Sequence, residues 1–192
     1  MGRARATASP RLFRENTHEG DDRNDFQRDR DIILYSSALQ RLSTTTQVVS
    51  GESGYVFHNR LTHTLQVAQV GRRLAEKLLI HQKDLAKQHG VDPDVVEAAC
   101  LAHDLGHPPF GHLAEVELNT LVSGSRSVQG FEGNAQSFRI VNALAFRSQR
   151  FQGLNLTKRT LRAILKYPWT YSGHTRRVPR ARKISGEHTI LN

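Results

Sequence analysis

Hydrophobic positions recur at helical spacing through most of this chain. Between Leu61 and Lys87 the apolar residues fall three or four positions apart, which is the period of one helix face. The segments from Asp29 to Leu42 and from Glu132 to Ala145 predict further helices. No pair of alternating segments joined by a tight turn predicts a hairpin. The pattern therefore predicts an all-α fold.

Proline, glycine and capping residues indicate where some of these helices begin and end. Asp92 before Pro93 is a strong start, because Asp caps a helix well and proline is favoured at the first helical position. This helix should stop at Gly106. Two prolines within residues 107–111 exclude a helix there. Another helix is predicted from Gly111 to Val122.

Polarity divides the chain into three predicted parts. Residues 1–28 are polar and charged with little periodicity, which predicts a flexible N-terminal arm. Residues 29–169 hold the helical pattern and are predicted to form one domain. Its last helix, capped by Thr157, should end by Tyr167 because a proline follows. Residues 170–192 form a basic tail that we expect to be disordered.

Charge is distributed unevenly along the chain. The net charge is +9, yet residues 157–192 hold nine Lys or Arg against the single acid Glu187, which leaves only +1 for residues 1–156. A tail this basic would suit nucleic acid phosphates or anionic lipid, while a solvated end is the simpler interpretation. The one cysteine, Cys100, excludes an internal disulfide. Because no apolar stretch is long enough for a membrane span, we expect a soluble, cytoplasmic protein with no membrane partner.

Candidate chemistry concentrates in residues 99–112. Three histidines and one aspartate follow an apolar helix there, namely His103, Asp104, His107 and His112. Burying these groups without partners would cost several kcal/mol. A metal ion or solvent at the helix end would compensate that cost. Imidazole together with carboxylate suits a divalent ion such as Mn²⁺, Fe²⁺, Zn²⁺ or Mg²⁺.

Several strings resemble the HD-domain metal phosphohydrolases, and among them the bacterial deoxyguanosine triphosphate triphosphohydrolases. They are RLTHTLQVAQVGRRLA, EAACLAHDLGHPPFGHLAE, GFEGNAQSFRIV, SSALQRLSTTTQV and LNLTKRTLRAILKYPW. The resemblance covers residues 28–169 and implies a helical HD-domain bundle. It also implies a divalent cofactor, with Mg²⁺ or Mn²⁺ expected before Fe²⁺ or Zn²⁺. The implied reaction hydrolyses a deoxynucleoside triphosphate to the deoxynucleoside and triphosphate.

The resemblance implies three groups of site residues: the metal ligands His63, His103 and Asp104, the catalytic residues His112 and Glu115, and the substrate-contacting residues Arg60, His107, Gln40 and Asn134. The donor atoms of the three ligands should lie within about 4 Å of one another. The spacing of three also places the catalytic residues on one helix face, where a carboxylate can orient an imidazole for acid or base work. A loop-packing role is the alternative for His107, and a solvated side chain is the alternative for Arg60.

This chain departs from the family pattern in two ways. The family's fourth ligand is an aspartate on a later helix, and no aspartate follows Asp104 here. The Arg-rich residues 171–192 resemble nothing in the family, so we expect a fold that is incomplete at the C-terminus. Activity should therefore be impaired. The resemblance also implies a homo-oligomer. The alternative function is a catalytically incompetent fragment that acts as a binding or structural module, on nucleic acid through its tail.

Overall fold

The computed structural model describes residues 11–15, 19–45, 59–123 and 130–167. Within these ranges the chain is helical and has no β-strand, which confirms the all-α prediction. The helices are α1 (Asp25–Leu34), α2 (Ser37–Gln40), a 3₁₀ turn (Arg41–Thr44), α3 (Arg60–His81), α4 (Lys83–Gln88), α5 (Pro93–Ala102), α6 (Gly111–Ser123), α7 (Gly133–Arg139), a π-helical turn (Ile140–Leu144) and α8 (Lys158–Ile164). None of the described helices is long and apolar enough to cross a bilayer. The predicted tail, residues 170–192, lies outside the described residues.

Side-chain caps fix the starts of several helices. The Asp92 carboxylate accepts hydrogen bonds from two backbone N–H groups of α5, and Pro93 occupies the first helical position. Thr157 caps α8 in the same manner. Asn59 caps α3 by accepting a hydrogen bond from the backbone N–H of Thr62. The predicted starts at Asp92 and Thr157 are therefore confirmed.

The helix predicted from Asp29 to Leu42 is wrong in both its start and its continuity. It begins earlier, at Asp25, because the side chain of Asn24 caps it. It ends at Leu34, and the hydroxyl of Ser36 caps the separate helix α2. A serine that accepts a backbone N–H restarts the helix here, and the apolar spacing alone did not indicate the break.

Two other predicted helices are interrupted. The helix predicted from Leu61 to Lys87 ends at His81, because Gln82 leaves the helical region with a φ of −131°. The short helix α4 follows and buries Ala86. The helix predicted from Glu132 to Ala145 is α-helical only as far as Arg139 and then widens into the π-helical turn.

Helix α5 is central to the fold, because it packs against α1, α3 and α8. Its Leu101 lies in a core with fully buried residues from other elements, among them Ile33, Leu42 and Leu156. Leu105, just after α5, belongs to the same core. The residues that follow α5 are therefore held in place by buried apolar neighbours.

Helices α3 and α5 approach each other closely at Gly71. A Cβ atom on Gly71 would lie 2.6 Å from the Sγ atom of Cys100, so only glycine leaves room. The next residue, Arg72, donates hydrogen bonds to Asp94 at 2.7 Å and to Glu97 at 2.6 Å, near the start of α5. The two helices therefore run antiparallel, with the start of α3 beside the end of α5.

Part of the predicted N-terminal arm packs on the helical body. Arg11 forms an ion pair with Asp29 at 2.6 Å and donates a hydrogen bond to the carbonyl of Asn155. The buried carboxylate of Asp29 also accepts from the N–H and the hydroxyl of Thr157, at 2.9 and 2.7 Å. Residues 25–28 belong to α1. Arg11 thus provides a charged partner for the buried Asp29 carboxylate, and the flexible arm over residues 1–28 stays a prediction.

The Asp29 network predicts a large stability effect. Asp29→Ala should lower the free energy of unfolding by about 3–5 kcal/mol, because it removes the close partner of the buried Arg11 charge and leaves only Asp25, at 3.8 Å. Urea denaturation at pH 7 measures the change. Asp22→Ala is the control, because Asp22 is exposed, and it should stay within about 0.5 kcal/mol of the unsubstituted chain. A loss below about 1 kcal/mol for Asp29→Ala would show that the network contributes little.

Candidate active site

Three of the predicted ligands converge where α3 begins and α5 ends. His63 lies in the first turn of α3, and His103 and Asp104 directly follow α5. One ligand atom from each residue lies within 4.8 Å of the other two. The separation is somewhat wider than the expected 4 Å or so, which is derived from the reach of a bound ion. These residues, which we call the three-donor group, could hold a divalent metal ion.

Backbone at the end of α5 fixes the orientation of His103. Its Nδ1 atom lies 2.7 Å from the carbonyl oxygen of Cys100, in the last turn of the helix. Because a carbonyl only accepts hydrogen bonds, we assign the ring proton to Nδ1, which leaves the lone pair on Nε2. Nε2 lies 3.4 Å from Oδ1 of Asp104. A backbone partner of this kind orients the histidine ligands of many metal sites.

The two carboxylate oxygens of Asp104 have different surroundings. Oδ2 accepts a hydrogen bond from Nη1 of Arg60 at 2.9 Å, and both side chains are almost fully buried. Oδ1 lies 3.4 Å from Nε2 of His103 and 3.4 Å from Nδ1 of His107. Asp104 can therefore offer one oxygen to a metal ion while Arg60 holds the other.

Arg60 occupies a place that the sequence did not indicate. We expected a substrate-contacting residue, with a solvated side chain as the alternative. Only 4% of Arg60 is exposed, and its guanidinium pairs with Asp104, which lies 44 positions later in the chain. No pattern in the neighbouring sequence indicates a partner so distant along the chain. The solvated alternative is wrong, and direct substrate contact by Arg60 stays a prediction.

The side chain of His107 is mostly buried between Asp104 and α7. A Cβ atom on Gly133 would lie 2.8 Å from Cδ2 and Nε2 of His107, so the ring packs directly on the backbone of α7. Burial lowers the pKa of His107, although the nearby Asp104 and Glu115 carboxylates act in the opposite direction. Its Nδ1 forms no hydrogen bond within the described residues. His107 therefore has the packing role that was the alternative, and it also faces the three-donor group.

The predicted catalytic residues are in contact at the start of α6. Phe110, just before the helix, and Gly111, its first residue, have left-handed backbone, with φ of 67° and 62°. Nδ1 of His112 lies 2.9 Å from Oε2 of Glu115, and the His112 side chain is 90% exposed. The imidazole is thus oriented by a carboxylate and accessible to a ligand. We call these two residues the His112–Glu115 pair.

The second oxygen of Glu115 connects this pair to α7. Oε1 accepts a hydrogen bond of 2.6 Å from the backbone N–H of Gly133, the first residue of that helix. Burial alone would raise the pKa of Glu115, but the hydrogen bonds from Gly133 and His112 outweigh it and lower the pKa below its usual range. Glu115 therefore remains ionised near neutral pH and serves as an acceptor for His112.

Ser137, which the sequence analysis missed, joins the segment after α5 to α7. Gly106 donates its backbone N–H to the hydroxyl of Ser137 at 2.9 Å. That hydroxyl lies 2.9 Å from the carbonyl oxygen of His103 and 3.0 Å from that of Gly133. We call residues 103–106 the His-Asp turn. In the sequence Ser137 is an ordinary helical serine. Only its spacing of four from Gly133 could have indicated the hydrogen bond to the Gly133 carbonyl.

The two remaining substrate candidates lie at the edges of the site. The Asn134 amide donates to the carboxylate of Glu132, which caps α7. Gln40 is exposed at the end of α2. The next residue, Arg41, donates to the carbonyl of Leu105 at 2.7 Å, so this part of the chain adjoins the His-Asp turn. Substrate contacts by Gln40 and Asn134 stay predictions.

Residues 60–166, more than half of the chain, match the HD domain family. The chain belongs to the HD-domain family. Among curated relatives, this HD chain is 46% identical to the deoxyguanosinetriphosphate triphosphohydrolase-like protein of Shewanella loihica, over 84% of its own length. The identity is 49% over 79% of the chain for the protein of the same name from Streptomyces coelicolor. It is 47% over 82% for the deoxyguanosinetriphosphate triphosphohydrolase-like protein 2 of Deinococcus radiodurans.

These relatives are much longer than the region they share with this chain. The HD chain covers 36%, 34% and 36% of their lengths, which is about a third in each case. The shared third contains the HD domain, the three-donor group and the His112–Glu115 pair.

The Arg60–Asp104 ion pair predicts a metal-dependent stability effect. With a chelator present, Arg60→Ala should lower the free energy of unfolding by about 3–5 kcal/mol, because the Asp104 charge is left unpaired. Excess Mn²⁺ should recover part of this loss, since a bound cation would replace the missing positive charge. Urea denaturation with chelator and with Mn²⁺ measures both effects. Arg41→Ala is the matched control, because Arg41 donates to a neutral carbonyl of the same turn; an equal loss in both variants would contradict the prediction.

The lowered pKa of Glu115 predicts a pH dependence of stability. A carboxyl whose pKa is lower in the folded than in the unfolded chain contributes stability above its unfolded pKa of about 4.3, and that stability is lost as the pH falls through the folded pKa. Glu115→Gln should therefore weaken the acid-induced loss of stability below about pH 4.3. Denaturation midpoints between neutral and acidic pH measure it. Glu117→Gln, on the exposed side of the same helix, should follow the unsubstituted chain, and identical pH profiles for the two variants would refute the assignment.

Proposed function

We propose that this HD domain takes part in the metal-dependent hydrolysis of deoxynucleoside triphosphates, dGTP among them, to the deoxynucleoside and triphosphate. The observation that carries the proposal is the proximity of the three-donor group to the His112–Glu115 pair. His107 links them, because its Nδ1 lies 3.4 Å from Oδ1 of Asp104 and its ring lies 6.3 Å from that of His112 between centroids. The names of the relatives, which specify deoxyguanosinetriphosphate, support this substrate class.

The three-donor group has the chemistry that a divalent ion requires. His103 has a free Nε2 because its Nδ1 faces a carbonyl, and Asp104 has a free Oδ1 because Arg60 holds Oδ2. Together with His63 they would provide two imidazole nitrogens and one carboxylate oxygen. This mixed set suits Mn²⁺ or Mg²⁺, with Fe²⁺ and Zn²⁺ as alternatives. When bound, such an ion polarises a phosphate oxygen and lowers the pKa of a water molecule.

The His112–Glu115 pair would move a proton at the reacting phosphate. With Nδ1 of His112 donating to the ionised carboxylate of Glu115, Nε2 is the atom left to accept or return a proton. The exposure of His112 lets a substrate reach this nitrogen. Glu115 remains fixed meanwhile, because the Gly133 N–H holds its other oxygen.

Four further residues are proposed to contact the substrate. His107 is the best supported, because its ring lies between the Asp104 carboxylate and the His112 ring, at 6.3 Å from the latter between ring centroids. Arg60 would add positive charge near the phosphates while it remains paired with Asp104. Gln40 and Asn134 would act from the edges of the site.

We further propose that hydrolysis by this chain is impaired. It contributes three donors to the ion, and no aspartate follows Asp104 that could serve as a fourth. A missing ligand or ligand support weakens metal binding by about 10- to 100-fold. A weakly held ion would also position the substrate poorly, which lowers the rate of the chemical step.

A triphosphate-release assay tests the function and the impairment together. With dGTP and excess Mn²⁺, the chain should release triphosphate at less than about one turnover per second, the lower end of ordinary enzymes. His103→Ala should remove this activity, because it deletes an imidazole of the three-donor group. Chromatography of the products identifies triphosphate as distinct from single phosphate.

Each other outcome of the assay contradicts a specific part of the proposal. A faster turnover that His103→Ala removes would show that three protein donors suffice. Equal release by the chain and the variant would show that the three-donor group does no chemistry. Purified protein without a stoichiometric divalent ion, together with no release, would favour the alternative of a binding or structural module.

A further inference from the structure

The first turn of α7 contacts both halves of the proposed active site. On one side Gly133 donates its N–H to Glu115 at 2.6 Å. On the other side the His-Asp turn lies against the same helix, where Gly106 donates to Ser137 at 2.9 Å. Helix α7 thus contacts both the His112–Glu115 pair and the turn that carries His103 and Asp104.

The Ser137 hydroxyl joins backbone groups from two parts of the site. Its hydroxyl accepts from the Gly106 N–H and has one proton, which it shares between the carbonyls of His103 and Gly133 at 2.9 and 3.0 Å. The residue is 1% exposed, so water does not substitute for these partners. One hydroxyl therefore ties the backbone of a ligand residue to the first residue of α7.

The glycines at this contact show how closely the two backbones approach. A Cβ atom on Gly106 would lie 2.2 Å from the backbone nitrogen of Ser137 and 2.5 Å from the carbonyl oxygen of Gly133. A Cβ atom on Gly133 would meet the ring of His107 at 2.8 Å. Neither position has room for a side chain, so a shift of α7 would be transmitted directly to the His-Asp turn.

We infer that Ser137 is a positioning residue that holds the His-Asp turn in a fixed place relative to the His112–Glu115 pair. This inference rests on the proposed function, in which an ion at the three-donor group and a proton at His112 act on one phosphate. Ser137 itself touches neither the proposed ion nor the substrate. It acts through the backbone of His103 and through Gly133, whose N–H fixes Glu115.

Metal affinity distinguishes positioning from general stability. Isothermal titration of the full chain with Mn²⁺ should show binding at least about tenfold weaker for Ser137→Ala than for the unsubstituted chain, as for other groups that orient ligands. Ser36→Ala is the matched control. The Ser36 hydroxyl also accepts a backbone N–H and donates to a backbone carbonyl, but it does so at the start of α2. Circular dichroism verifies that each variant is folded during the titration.

The outcomes of the titration separate the two proposals. Weaker Mn²⁺ binding by Ser137→Ala with an unchanged affinity for Ser36→Ala supports the inference. Equal affinities for Ser137→Ala and the unsubstituted chain overturn the role of Ser137 and leave the proposed function intact. Equal weakening in both variants also overturns it, because the effect is then one of general stability. No Mn²⁺ binding by the unsubstituted chain overturns the proposed metal site itself.

Hydrogen exchange on the unsubstituted chain keeps the inference testable if Ser137→Ala does not fold. Saturating Mg²⁺ should slow exchange of the Gly106 and Gly133 amides together, because the turn and α7 are held by one hydroxyl. The Leu39 amide, which donates to Ser36, should be unaffected. Slowed exchange at Gly106 without Gly133 would show that the two elements are not coupled and would overturn the inference.

Discussion

Asp104 carries its negative charge in a place with little access to water, and the arrangement around it follows from balancing that charge. The guanidinium of Arg60 lies 2.9 Å from one of its oxygens. Arg60 reaches this place because Asn59 caps α3 just before it and because Gly71 lets α3 approach α5 closely. A buried carboxylate with a single partner is costly to maintain. The other oxygen, Oδ1, faces His103 and His107. A cation bound there would offset part of this cost.

The candidate site is built from helix ends rather than from helix faces. The starts of α3, α6 and α7 and the end of α5 meet there. Helix ends leave backbone N–H and C=O groups without partners inside the helix. The Gly133 N–H is such a group, and it holds Glu115. The Cys100 carbonyl in the last turn of α5 orients the His103 ring. The orientation of the functional side chains therefore follows from the need to satisfy backbone groups.

The sequence indicated the parts of this site that have local signals. Caps and prolines predicted the starts of α5, α6 and α8, and the spacing of three predicted the contact of His112 with Glu115. The family resemblance identified the three-donor group, whose members come together in the structure. Local spacing accounts only for His103 and Asp104, which are neighbours in sequence, while His63 on α3 was identified through the resemblance alone.

The parts that the sequence did not indicate depend on distant contacts. Arg60 pairs with a residue 44 positions away, and Ser137 bonds one 31 positions away. Neither residue type carries a signal for such a partner. The breaks after Leu34 and at Gln82 were missed because the apolar spacing continues across them, while the backbone does not.

The bond between Asp29 and Thr157 has a consequence for the order in which this chain can fold. The two residues are 128 positions apart. During synthesis Asp29 is completed long before Thr157, so its carboxylate lacks these two hydrogen bonds while most of the domain is made. Closing so long a loop must overcome a large entropy loss, and distant contacts of this kind slow folding. The buried carboxylate of Asp29 therefore acquires its full set of partners only after Thr157 has been made.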